Sequence, residues 1–128
     1  MATTTLVTRE VLIREMFAAV DRQDSESFVT FLTDDGSFRF GNMPPAAGAE
    51  AIRLAFDGFC RAIKSLRHEF VEFFDAGETW TVEQMVHYID GWDREHVLPC
   101  VNILRFDGDK VADYRIFMDV SPLFIPPA

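Results

Sequence analysis

From residue 66 to residue 120 the chain consists of runs rich in β-branched and aromatic residues, separated at Asp75-Ala76-Gly77, Asp90-Gly91-Trp92-Asp93 and Asp107-Gly108-Asp109. Asp and Gly at such breaks supply the positive-φ positions that tight hairpins need. The spacing predicts four antiparallel strands, at 66–74, 79–89, 96–106 and 110–120, before a proline-containing tail at 122–128. A meander of this length has an apolar face to bury, so the rest of the chain has to cover it.

The first half has the right pattern to do so. From 8 to 22, Leu12, Ile13, Met16, Phe17 and Val20 recur at helical spacing, with Glu10 in the first turn where the helix dipole favours an acid. Asp24 is placed to cap a short second helix carrying Phe28, Phe31 and Leu32, which is expected to end near Thr33-Asp34-Asp35-Gly36. Ser37 to Phe40 reads as a strand. Pro44 and Pro45, lacking N–H donors, make 41–45 a loop. Ile52, Ala55, Phe56, Phe59 and Ile63 then draw one apolar stripe over 49–63, a third helix. Three helices followed by a meander predict an α+β domain with the helices on the concave face of a curved, mostly antiparallel sheet. The expected organisation is one domain over 1–128, with 1–7 and 122–128 as tails.

Composition narrows the partners. Twelve Lys plus Arg against 21 Asp plus Glu give a net charge of −9 in 128 residues. That leaves no basic footprint for nucleic acid, since phosphate binding replaces counterions with clustered cations. No apolar run approaches the roughly 18 residues of a bilayer span, so no membrane partner is expected. Cys60 and Cys100 stand far apart, and the opening MATTTLVTRE has neither the basic nor the apolar region of a secretory leader, which predicts the cytoplasm. CxxC, HExxH, GxGxxG and phosphate-loop patterns do not occur, so neither metal nor cofactor is expected. Thirteen Phe must fill a core, line a cavity or face a partner.

The order of elements resembles the nuclear transport factor two-like superfamily, the α+β cone, over essentially the whole chain. FRFGNMPPAAGAEAIR is similar to the first-strand and loop segment of SnoaL-like proteins and limonene epoxide hydrolases, and KVADYRIFMDVSPLF to the closing strand of SnoaL-like proteins. The resemblance implies a cavity between helices and sheet, in a fold that hosts isomerases, dehydratases, cyclases, hydrolases and binders. Where the strands align, the Arg of the Asp-Arg-Asp set of limonene epoxide hydrolases would fall on Glu83 and its two Asp on Met85 and Ile116, and their Tyr and Asn on Phe40 and Asn42, so that chemistry is absent. The carboxylate base of ketosteroid isomerases also falls on Phe40. Scytalone dehydratase uses two sheet histidines with an Asn, for which His68, His87 and Asn102 are similar parts. SnoaL-like cyclases carry an Asp near the end of the last strand, where this chain has Asp119.

Strand alternation sorts the remaining candidates. If the hairpins close tightly, Glu83, Asn102 and Tyr114 become cross-strand neighbours, with His68 near His87. The alignment with relatives puts this set on the concave face. The expected catalytic groups are His68, Glu83 and His87, moving a proton, with Phe40, Asn42, Phe59, Met85, Cys100, Asn102, Tyr114, Ile116 and Met118 binding the substrate. The alternative for Glu83 with Asn102 and Tyr114 is a structural polar network. Asp119 with Arg115 is assigned to the outer face as an ion pair. Val82, Val86, Tyr88, Val101, Ile103 and Phe117 would make that face apolar enough for a homodimer. The functional expectation is a cofactor-independent isomerase, dehydratase or cyclase acting on a hydrophobic small molecule. A non-catalytic binding or dimerisation module of the same fold is the alternative.

Overall fold

The computed structural model describes residues 8–128; the expected tail at 1–7 lies outside the described residues. Three helices, α1 (Arg9–Asp21), α2 (Ser25–Val29) and α3 (Ala49–Arg61), pack on one six-stranded sheet. The strands are β1 (Leu32–Phe40), β2 (Ala46–Ala47), β3 (Ile63–Ala76), β4 (Thr79–Asp90), β5 (Glu95–Asp107) and β6 (Lys110–Phe117), in spatial order β2-β1-β6-β5-β4-β3. All neighbours are antiparallel except β1 with β6, which run parallel. This is the α+β cone expected from the element order.

Local chemistry sets the helix starts. Thr8 Oγ1 accepts the Val11 N–H at 3.3 Å, and Asp24 accepts the Ser27 N–H at 3.1 Å, each satisfying a donor the helix cannot pair internally. The α1 stripe buries Ile13, Met16, Phe17 and Val20. Phe28 is fully buried, stacked on Phe56 at 5.0 Å and edge-on to Phe38 and Tyr114. Burying such a ring contributes about 1.5–3 kcal/mol, so α2, only five residues long, is held by packing rather than by its own hydrogen bonds.

Four boundaries differ from the sequence expectation. Helix α2 stops at Val29, and Leu32, expected on it, opens β1 opposite Val111. The Asp34-Asp35-Gly36 turn signal is absorbed as an irregularity between Leu32 and Ser37, inside the strand. Ile63 likewise belongs to β3, not α3. At the other end, β6 stops at Phe117, and the expected tail forms a 3₁₀ turn, Ser121–Phe124, whose Leu123 is fully buried.

The decisive difference is the parity of the β4–β5 hairpin. An even-numbered turn would set Glu83 opposite Asn102. The loop instead has three residues, Gly91 to Asp93, closed by the Asp90 N–H to Arg94 carbonyl bond at 2.9 Å, with Asp93 at φ 66°. Val82 therefore faces Asn102, and Glu83 faces Val101. A shift of one residue turns a whole strand over. Val82, Gln84, Val86 and Tyr88 are buried beneath the helices, while Glu83, Met85 and His87 lie on the outer face. On β5 and β6 the expected sides hold, with Asn102 opposite Ile116 and Leu104 opposite Tyr114.

Candidate functional site

Between α3, the end of α1 and the concave sheet face lies a cavity of about 410 Å³. Phe40, Phe59, Cys100, Asn102, Tyr114, Ile116 and Met118 line it, as does His68. Glu83, Met85, His87 and Asn42 do not. Glu83 is exposed, and His87 Nε2 bonds Glu69 Oε1 at 2.7 Å on the outer face, opposite Arg67 rather than near His68. Asn42 is exposed in the loop after β1. Among the described residues no group of three or more His, Cys, Asp or Glu side chains is placed to hold a metal ion.

The carboxylate that meets His68 is Asp21, the last residue of α1. Its Oδ1 lies 2.6 Å from His68 Nδ1, and the same carboxylate accepts the His68 backbone N–H at 3.1 and 3.2 Å. A carboxylate only accepts, so Nδ1–H donates to Asp21; Nε2 has no hydrogen-bond partner among the described residues, and the side chain is part of the cavity wall. The imidazole is 8% exposed and packs on the Phe17 ring at 4.7 Å between centroids, so its plane is set from two sides. The sequence held one signal for Asp21. An acid at a helix C-terminus opposes the helix dipole, and with no basic residue in the last turn of α1 it needed a partner from elsewhere.

The other polar groups of the wall differ in their freedom. Tyr88, which the sequence reading placed outside, lines the cavity and donates its hydroxyl to Met118 Sδ at 3.6 Å. The Tyr114 hydroxyl has no hydrogen-bond partner among the described residues, though the side chain is 2% exposed. Burial, followed by the nearby Cys100 and Asp21, pushes both phenols up, so they stay protonated donors. Burial also pushes the Cys100 thiol up to about 12, which removes it as a thiolate nucleophile. Asn102 donates to Gln84 Oε1 and to Cys100 Sγ, while Gln84 Nε2, fully buried, has no partner among the described residues.

The cavity is closed by the segment after β6. Val120 and Phe124 are part of its wall, and Arg94 holds that segment by donating from Nη2 to the Ile125 carbonyl. Arg94 is itself fixed to the fully buried Asp90, which accepts from Arg94 Nε, His96 Nε2 and the Trp92 N–H at 2.8 Å each, and from the Arg94 N–H at 2.9 Å. Of the lining residues, Met43, Pro44, Ala55 and Phe124 are exposed, so the mouth opens between the β1–β2 loop, α3 and the C-terminal turn. Asp119 is exposed and caps the Ser121 N–H at 2.9 Å. The expected Arg115–Asp119 ion pair is not formed; Arg115 pairs with Asp113 at 3.1 Å, because the strand ends before Asp119.

Residues 13–114 match the SnoaL-like domain family. No curated protein sequence matches the chain. Among solved structures, an NTF2-like protein of unknown function from Burkholderia pseudomallei superposes with a TM-score of 0.82 at 18% identity, over 93% of this chain and 96% of that one. A protein with a ketosteroid isomerase-like fold from Catenulispora acidiphila, in complex with trimethylamine, gives 0.81 at 16% identity over 88% of each chain. TerC co-crystallised with polyporic acid gives 0.81 at 14% identity, over 91% and 95%. At these identities the likeness is one of fold.

Proposed function

We propose that this chain, which belongs to the SnoaL-like domain family, binds a neutral hydrophobic small molecule in the cavity and moves a proton on it through His68, without a cofactor, in an isomerisation, dehydration or cyclisation. The observation that carries this reading is the His68–Asp21 pair in the wall of an apolar cavity, with one ring nitrogen on the carboxylate and the other without a hydrogen-bond partner among the described residues. Asp21 holds the tautomer in which Nε2 accepts a proton, and stabilises the imidazolium that results. A carbon acid beside a carbonyl would give its proton to Nε2. The carbonyl oxygen, as negative charge develops on it, would accept from the Tyr114 hydroxyl. The imidazolium would then return the proton to another carbon in an isomerisation, or to a leaving hydroxyl in a dehydration.

Among the described residues no Lys, Arg, Asp or Glu lines the cavity, so a charged ligand group would be buried without a countercharge, at a cost of several kcal/mol. That supports a neutral ligand. Two neighbours of the same fold were crystallised with small organic molecules, which supports the cavity as a small-molecule site. The free Cys60 and Cys100 support a reducing, cytoplasmic setting for a single-domain protein. On the outer face Val97, Val101, Ile103 and Phe117 remain after Val82, Val86 and Tyr88 have turned inward, and we read that face as a homodimer contact.

The test is deuterium incorporation. Neutral cyclic ketones are incubated with the protein in D₂O and α-carbon exchange is followed by NMR. Wild type should accelerate exchange of the ketones it binds, and His68→Ala should not. Binding without exchange by wild type would favour the second reading, a non-catalytic binder. That reading draws support from the Tyr88 hydroxyl and the Asn102 Nδ2, which already donate to Met118 and Gln84.

A further inference from the structure

Three polar side chains run diagonally across β4, β5 and β6 on the concave face. Gln84 stands opposite Cys100, Asn102 opposite Val82 and Ile116, and Tyr114 opposite Leu104, so Gln84 and Tyr114 are the diagonal neighbours of Asn102. Gln84 is fully buried and Asn102 almost so, and an amide in such a place is stable only if its polar groups are paired. Asn102 spends both N–H groups, one on Gln84 Oε1 and one on Cys100 Sγ at 3.5 Å. Its Oδ1 accepts no hydrogen bond among the described residues, and the side chain is part of the cavity wall. Gln84 Nε2 is left buried without a partner among the described residues.

One rearrangement would satisfy Gln84. Turning both amides over would let its Nε2 donate to Asn102 Oδ1, and would consume that oxygen. The structure has the opposite arrangement, which carries the desolvation cost of an unpaired buried donor and keeps a carbonyl oxygen unspent on a residue of the wall. A purely apolar ligand would seal that oxygen from water without pairing it, whereas a ligand hydroxyl would donate to it. We propose that Asn102 Oδ1 is the acceptor for a hydroxyl of the ligand, and that Gln84 is the positioning residue that holds the amide in this orientation. The cavity then selects neutral hydroxyketones, with the hydroxyl on Asn102 and the carbonyl on the Tyr114 hydroxyl. Diagonal neighbours on a sheet are close enough for one small molecule to bridge. The inference rests on the reading of the cavity as a small-molecule site and names the class of molecule it takes.

The probes are tetralone, the isomeric hydroxytetralones and their methyl ethers, titrated by calorimetry against the full chain at weakly acidic pH, where the phenols are neutral. Each ether keeps the added oxygen and loses only the donor. At least one hydroxytetralone should bind wild type about tenfold or more tightly than its ether and than tetralone. Asn102→Leu should abolish that preference. Gln84→Met removes the contact to Asn102 and the orphaned N–H groups together, so the fold is retained and the preference should fall severalfold. A Gln84→Met protein that melts at a different temperature but keeps the full preference overturns the positioning role. Ethers bound as tightly as the hydroxytetralones, or a preference that survives Asn102→Leu, overturn the acceptor and leave the cavity standing as a small-molecule site. Binding of none of the tetralones overturns both.

Discussion

Asp21, closing α1, and His68, in the middle of β3, meet at 2.6 Å across the edge of the cavity. The contact joins a helix end to a strand 47 residues later in the chain. It ties strand to helix and fixes the ring at once, since the carboxylate takes both the strand's backbone N–H and the ring's Nδ1–H. Asp21→Asn preserves shape but can present an N–H to Nδ1, favouring the wrong tautomer. Deuterium exchange into a bound ketone should fall about a hundredfold while ligand affinity stays within a few fold. An unchanged exchange rate in this variant would remove His68 as the base.

Glu83 and His87 lie on the opposite side of the sheet from the cavity. Glu83→Gln and His87→Ala should therefore leave ligand affinity and proton exchange at the wild-type level, as read by titration and NMR. A loss of exchange in either, with the fold intact, would mean that the outer face acts on the cavity.

Thiol titration gives a pH signature on the alkaline side. Burial holds the Cys100 thiol protonated up to about 12, against about 8.5 in the unfolded chain. A folded-state value raised above the unfolded one contributes stability that is whole below about pH 8.5 and is lost as pH rises toward the folded value. Melting temperature should decline across that window, and Cys100→Ala should flatten the decline. An identical slope in the variant would show that Cys100 does not titrate in the folded state as its burial requires.

Asp90 acts on the acid side and, through Arg94, on the cavity. Burial pushes its carboxyl up, but the Arg94 N–H, the His96 ring, the Trp92 N–H and the Arg94 guanidinium outweigh that and hold it well below the usual carboxylate range. A depressed value contributes stability above the unfolded value near about 4 that is lost as pH falls below it. Asp90→Asn should lower the melting temperature at neutral pH and narrow the gap to wild type below pH 4. Arg94→Ala releases Ile125, so a neutral dye such as N-phenyl-1-naphthylamine should leave the cavity several times faster in stopped flow. Equal off-rates would show that Leu123 alone anchors the segment.

The architecture was legible because it follows from periods. The stripe of Ile52, Phe56 and Phe59 reports a helix, the Asp-Gly breaks report hairpins, and helices before a meander leave one way to bury the sheet. Residues of β5 and β6 kept their expected sides, and thus Asn102, Tyr114 and Ile116 reach the cavity. Elements ending in small polar residues were less legible, as with Asp34-Asp35-Gly36, where a turn signal sits inside a strand held by Leu32 and Ser37 on either side.

By itself the sequence determined the fold class, the greasy character of the pocket and the absence of phosphate-binding charge, because composition and periodicity are properties of short windows. Which carboxylate meets which histidine was decided only in three dimensions. Alternation divides β4 into two sets of side chains but does not say which set faces inward; the three-residue loop at Gly91–Asp93 does, and it turned Glu83, Met85 and His87 outward together. Asp21 joined His68 because α1 packs across β3, a contact between distant segments that no local pattern encodes.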